Sequence, residues 1–80
     1  MFTASPNPFN PSVSLSLYGA LARGATLKVF DLSGKLVTDL SGKVSAGKAV
    51  WNAAGKASGV YLVVVEKGAL SLKRKVIFSK

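Results

Sequence analysis

Beyond Pro11, apolar residues recur at every second position in short runs separated by glycine-containing turns. Val13, Leu15 and Leu17 alternate with Ser14 and Ser16, and Leu27 and Val29 are flanked by Thr26, Lys28 and Phe30. Successive side chains of a strand point to opposite faces, so a period of two marks a strand with one buried face. No window carries the 3.6-residue stripe of an amphipathic helix. A chain built this way is confined to β-sheets. Strands so short and so regularly spaced bury their apolar faces against one another in a sandwich or a small barrel.

The punctuation sets the strand limits. Pro6, Pro8 and Pro11 fix φ and push their predecessors toward extended geometry, so Pro6 to Pro11 is read as an extended lead-in with Phe9 over one end of the core. Arg23-Gly24 turns the chain into a second strand, Thr26 to Leu32, with Leu27, Val29 and Leu32 expected to face the core. Asp31 to Lys35 is a hairpin signal, because Asp hydrogen-bonds the following backbone and Gly34 supplies positive φ. Leu36, Val37 and Leu40 carry the return strand. Ala49 to Asn52 follows, with Trp51 as the largest core contribution, and residues 52–58 form a loop. Val60 to Glu66 is apolar on both faces, as expected of a strand at a sheet centre. In the last strand Leu70, Leu72, Arg74, Val76 and Phe78 share one parity, and Ser71, Lys73, Lys75, Ile77 and Ser79 the other.

Eighty residues suffice for one domain. Residues 1–5 are read as a linker or start segment and 6–80 as the single folded unit, with any export signal of a larger parent lying upstream. The longest apolar run, Val60 to Val65, falls far short of the roughly 20 residues of a membrane-spanning helix.

Composition excludes several kinds of chemistry. There is no Cys and no His, and the acids are Asp31, Asp39 and Glu66 alone. They fall at strand ends and turns, with no motif pairing two carboxylates for acid–base work and too few for a hard-cation cage. No serine stands out as a nucleophile. No catalytic, cofactor or metal residue is therefore assigned. Eleven Lys and Arg give a net charge of +8, which suits a partner rich in carboxylate, phosphate or sulfate. Phe30, Tyr18 and Trp51 are not interleaved with the cations along one strand, so a nucleic-acid surface is set aside.

Four segments in order carry a family resemblance. Asn7-Pro8-Phe9-Asn10-Pro11-Ser12 resembles the opening motif of the C-terminal sorting domain of the bacterial type IX secretion system. Leu27 to Val37 is similar to that family's strand–turn–strand, Val50-Trp51 and Ala57-Ser58-Gly59-Val60-Tyr61 to its later strands, and Lys73-Arg74-Lys75-Val76 to its basic final strand. Many relatives carry a longer acidic loop after the Trp, whereas Asn52-Ala53-Ala54-Gly55-Lys56 holds no acid. A cation site suggested for that loop is not carried over.

The resemblance implies an immunoglobulin-like β-sandwich of about seven short, mostly antiparallel strands. It also implies a domain that sends a larger secreted parent through the periplasm, across the outer membrane and to the cell surface. The expected partners are the secretion and surface-attachment proteins, with anionic surface polysaccharide as a further candidate, and the oligomeric state is left open. The implied recognition residues are Gly59, Tyr61, Lys73, Arg74, Lys75 and Lys80. Each of the first five also has a purely structural role to fill: a turn conformation for Gly59, a loop-bonding sandwich tyrosine for Tyr61, an exposed edge for Lys73 to Lys75. The alternative function is a non-catalytic accessory module of a secreted enzyme, binding carbohydrate on an exposed Trp51 or Tyr18. A third reading is an engineered or consensus version of the sorting domain.

Overall fold

A computed structural model describes residues 2–5 and 11–79. In chain order the strands are β1 (Phe2–Ser5), β2 (Ser12–Leu17), β3 (Thr26–Asp31), β4 (Leu36–Asp39), β5 (Lys48–Asn52), β6 (Gly59–Lys67) and β7 (Leu70–Phe78). Short 3-10 turns at Gly19–Ala22 and Ser41–Lys43 join β2 to β3 and β4 to β5. One sheet has the order β1-β2-β5 and the other β4-β3-β6-β7, with every pairing antiparallel. This is the expected all-β sandwich. Against the seven-strand immunoglobulin constant-type arrangement it differs in one strand: the fourth pairs with the third instead of the fifth.

The alternation in the sequence becomes the core. Val13, Leu15 and Leu17 of β2, Leu27 and Val29 of β3, and Ala49 and Trp51 of β5 are buried. Val63 and Val65 of β6 and Val76 and Phe78 of β7, in the same sheet as β3, complete the face that closes over β2 and β5. β6 lies inside its sheet, between β3 and β7, as its two apolar faces require.

Two expectations are corrected. Leu32 does not face the core but is 69% exposed. The strand ends at Asp31, and Leu32 opens the turn, where alternation no longer governs direction. Residues 2–5, read as a linker, instead form β1, pairing with β2 from Phe2↔Leu17 to Ser5↔Ser14. Phe2 is 4% exposed and supplies apolar burial that an isolated linker would not have. Phe9, the rest of the segment 6–10, and Lys80 lie outside the described residues.

The crossovers are fixed by polar groups. Ser41 Oγ accepts from the Leu27 amide at 2.9 Å, and the Leu40 amide donates to the Leu27 carbonyl at 2.7 Å, so the start of β3 stays bonded beyond the end of β4. Asp39 accepts from the Ser41 amide at 2.9 Å and shapes the turn itself. Ala46 and Gly47 both take positive φ, 52° and 76°, in a two-residue turn closed by the Ser45 and Lys48 backbones.

These positions predict a contrast. Leu15→Ala, at a fully buried site, costs about 2–5 kcal/mol of unfolding free energy. Leu32→Ser, on the exposed turn, stays within about 0.5 kcal/mol of the parent. Urea unfolding followed by Trp51 fluorescence measures both.

Candidate functional site

An open cleft of about 480 Å³ lies at the end of the sandwich where β3 meets the start of β6. Asp31, Lys35 and Leu36 of the β3–β4 hairpin form one wall, and Lys56, Gly59 and Tyr61 stand on the other. The two walls come from segments about twenty positions apart in sequence. The antiparallel pairing Asp31↔Tyr61 brings them together.

The hairpin wall is held by one carboxylate. Asp31 Oδ1 accepts from the Ser33 amide at 2.9 Å, the Ser33 hydroxyl at 2.6 Å and the Lys35 amide at 3.0 Å. The backbone closes with Asp31 N to Lys35 O at 3.0 Å and Gly34 N to Asp31 O at 3.1 Å. The Ser33 hydroxyl, then the Lys35 amide, hold the Asp31 carboxyl below the usual carboxylate range, with a smaller contribution from the Lys35 charge. A bulge opposite Val29 and Phe30 then sets the entry of β4, so that Phe30 pairs with Leu36. Leu36 thereby shares the outer face with Phe30, while Val37 packs against the core.

The opposite wall is equally constrained. Asn52 Oδ1 accepts from the Ala54 amide at 2.8 Å, and the Lys56 amide donates to the Ala53 carbonyl at 2.9 Å. The Ala53 amide donates to the Pro11 carbonyl at 2.8 Å, tying this loop to the entry of β2. Tyr61, 7% exposed, sends its hydroxyl back to the Ala57 carbonyl and lays its ring edge-on to Trp51, with centroids 5.1 Å apart at 75°. Gly59 has φ of +148°, and a Cβ there would meet nothing within 4 Å. Backbone conformation, not space, therefore calls for glycine.

The six residues implied by the resemblance do not form one patch. Gly59 and Tyr61 both line the cleft. The basic run of β7 is split by strand alternation. Lys73 pairs with Val64 and Lys75 with Leu62, on the outer face of the sheet, whereas Arg74 pairs with Val63 on the inner side. The Arg74 guanidinium sits 5.4 Å from the Phe2 ring centroid, so this cation spans the open edge between the two sheets and helps seat β1. Trp51, at 4% exposure, offers no platform for a sugar, which removes the main support of the carbohydrate-binding alternative; Tyr18 is 52% exposed.

Sequence reasoning missed Lys35, Leu36 and Lys56 as cleft residues. The usable signal was topological: hairpin 31–35 and loop 52–58 must share an end once β3 and β6 pair antiparallel.

A family model described as the secretion system C-terminal sorting domain matches residues 4–79. No curated protein matches the chain.

Two outcomes follow from the walls. Because Asp31 titrates lower folded than unfolded, its contribution to stability is present above the ordinary carboxylate pKa of about 3.9 and is lost as pH falls through the folded value. Asp31→Asn therefore flattens the fall in stability below about pH 4, seen as a smaller difference between urea midpoints at acid and neutral pH. Tyr61→Phe removes the bond to Ala57 but keeps the ring contact with Trp51. Its expected cost is about 0.5–1.5 kcal/mol in the same unfolding assay.

Proposed function

The chain belongs to the family of C-terminal sorting domains of the type IX secretion system, and from that membership we propose how the sorting is performed. Such a domain implies a parent protein that is secreted or displayed at the cell surface. The family acts in targeting rather than in catalysis. No helix among the described residues is long and apolar enough to cross a membrane.

The proposed mechanism is docking of the folded domain onto the translocation and surface-attachment proteins. The parent crosses the outer membrane because its terminal domain is recognised. The observation that carries this reading is β7: nine residues at the edge of the larger sheet, with Lys73 and Lys75 projecting from the outer face. An edge strand offers backbone groups to a strand of a partner, and side chains at alternate positions select which strand is accepted. Cations along an edge also discourage pairing with a second copy of the same chain. An acidic partner strand is thus favoured and self-association disfavoured by the same residues. Gly59 and Tyr61 act here through structure, fixing the start of β6 and the loop beside it.

The test fuses the domain to a reporter carrying an export signal, in a host that has the system. The parent fusion is expected outside the outer membrane, and retention in the periplasm overturns the proposal. Lys73→Glu with Lys75→Glu, at exposed positions, is expected to lower the exported fraction about tenfold, the effect of about 1.4 kcal/mol in docking. Export at the parent level would remove β7 as the docking edge.

A further inference from the structure

The larger sheet has an outer face that no strand among the described residues covers, and its composition is not that of an ordinary solvated face. Direct cross-strand partners share a face, so the pairings lay out its rows. Leu36, Phe30, Leu62 and Lys75 form one row, and Val60 with Ile77 the next. Leu36 is 48% and Ile77 42% exposed. Phe30, Leu62 and Val60 are half-buried. The row on the other side runs Asp39, Lys28, Val64, Lys73, and beyond it lies Thr26, Glu66, Ser71. The apolar rows therefore lie toward the cleft, and the acids Asp39 and Glu66 toward the far end. Leu36 and Val60 belong both to this face and to the cleft wall, so the two are continuous.

We propose that the cleft and the adjoining apolar rows form a docking site for an extended acidic segment of a partner protein, one that alternates carboxylates with aliphatic or aromatic side chains. The site deepens the sorting function argued above and rests on it. Charge complementarity selects this occupant. Lys35 and Lys56 flank the cleft on opposite walls, and Lys75 ends the central apolar row. Asp31, the acid nearest them, already accepts three hydrogen bonds within its own turn. A carboxylate of the partner thus meets cations at either end of the apolar rows. A second copy of this chain would bring the same lysines face to face, in a protein of net charge +8. The volume, about 480 Å³, lies within the range of about 300–1,000 Å³ of clefts that enclose ligands, enough for an anchoring side chain and its neighbours.

The experiment is a titration of the isotope-labelled domain, followed through its backbone amide resonances. The probe is a seven-residue peptide alternating glutamate with leucine, phenylalanine and valine. A counterpart with lysine for glutamate and vesicles of phosphatidylglycerol are run beside it. Saturable shifts at residues 31–37 and 56–62, weakened by salt and absent with the lysine peptide, support the proposal. Leu36→Asp and Lys56→Glu, both at exposed positions, are each expected to weaken binding about tenfold with unchanged thermal unfolding. No saturable shift, equal binding of the lysine peptide, shifts confined to β7 or β1, or response to vesicles alone would overturn it. In the secretion assay, a Leu36→Asp/Lys56→Glu fusion exported like its parent sinks the cleft as docking site and leaves the sorting function standing. Failure of the parent fusion sinks the sorting function, while the titration still judges the cleft.

Discussion

The contact between Trp51 and Tyr61 joins the two halves of the molecule at the point where its surface features converge. Trp51 belongs to the three-stranded sheet and Tyr61 to the four-stranded one, so their edge-to-face packing crosses the sandwich. Such aromatic pairs contribute about 0.5–1.5 kcal/mol beyond the area they bury. The consequence reaches further than that energy. With its ring fixed by Trp51, the Tyr61 hydroxyl bonds Ala57 and positions the loop that forms one wall of the cleft. The next strand inherits the register, because Tyr61 pairs with Val76, which is fully buried. Core, loop and edge strand are thus coupled through one residue.

Charge is distributed so as not to oppose this packing. No buried polar or charged residue occurs among the described residues, and the cations lie on outer faces, turns and edges. Val64, on the outer face, is nevertheless only 9% exposed. It stands directly between Lys28 and Lys73, and cross-strand neighbours have Cβ atoms about 4.5–5.5 Å apart. Lysines flank it on both neighbouring strands, and aliphatic stems of this length shelter an apolar neighbour while the ammonium groups reach water. Two of the three acids are engaged locally as turn acceptors, Asp31 in the hairpin and Asp39 before the second 3-10 turn. A net charge of +8 therefore coexists with a closed core, and its excess faces outward.

The fold was legible because period-2 alternation is a direct image of strand geometry. Val13, Leu15 and Leu17, Leu27 and Val29, and Val76 and Phe78 all face inward as their spacing required. Leu32 misled because it was counted with the core for its apolar side chain, although it has the parity of the outward Lys28 and Phe30 and stands where the Asp31 carboxylate has already begun a turn. β1 was overlooked for the opposite reason: Phe2 to Ser5 is too short to show a period, and only pairing with β2 makes it a strand. The site was less legible. Gly59 and Tyr61, singled out through their motif, both line the cleft, but a linear motif does not say that Lys73, Arg74 and Lys75 belong to different faces. Strand parity could have said so, and it assigned Arg74 to the core side before its seat over Phe2 was seen.

Alternation also shows where the sequence departs from what the fold alone requires. A sheet packed on one face should read apolar in and polar out. β2 and β5 largely do so, with serine, lysine or asparagine outward and only Val50 exposed as an exception. β6 does not, because Val60, Leu62 and Val64 place three apolar side chains on the outer face, with Phe30 and Ile77 on the strands beside it. A central strand gains β-propensity from valine on either face, which accounts for Val64 beneath its lysines. It does not account for Leu36, which a bulge in an edge strand directs outward beside Phe30. Positions where local consistency is relaxed without gain to the core are where function is expected to reside. On this chain they coincide with the rim of the cleft between the hairpin 31–35 and the loop 52–58.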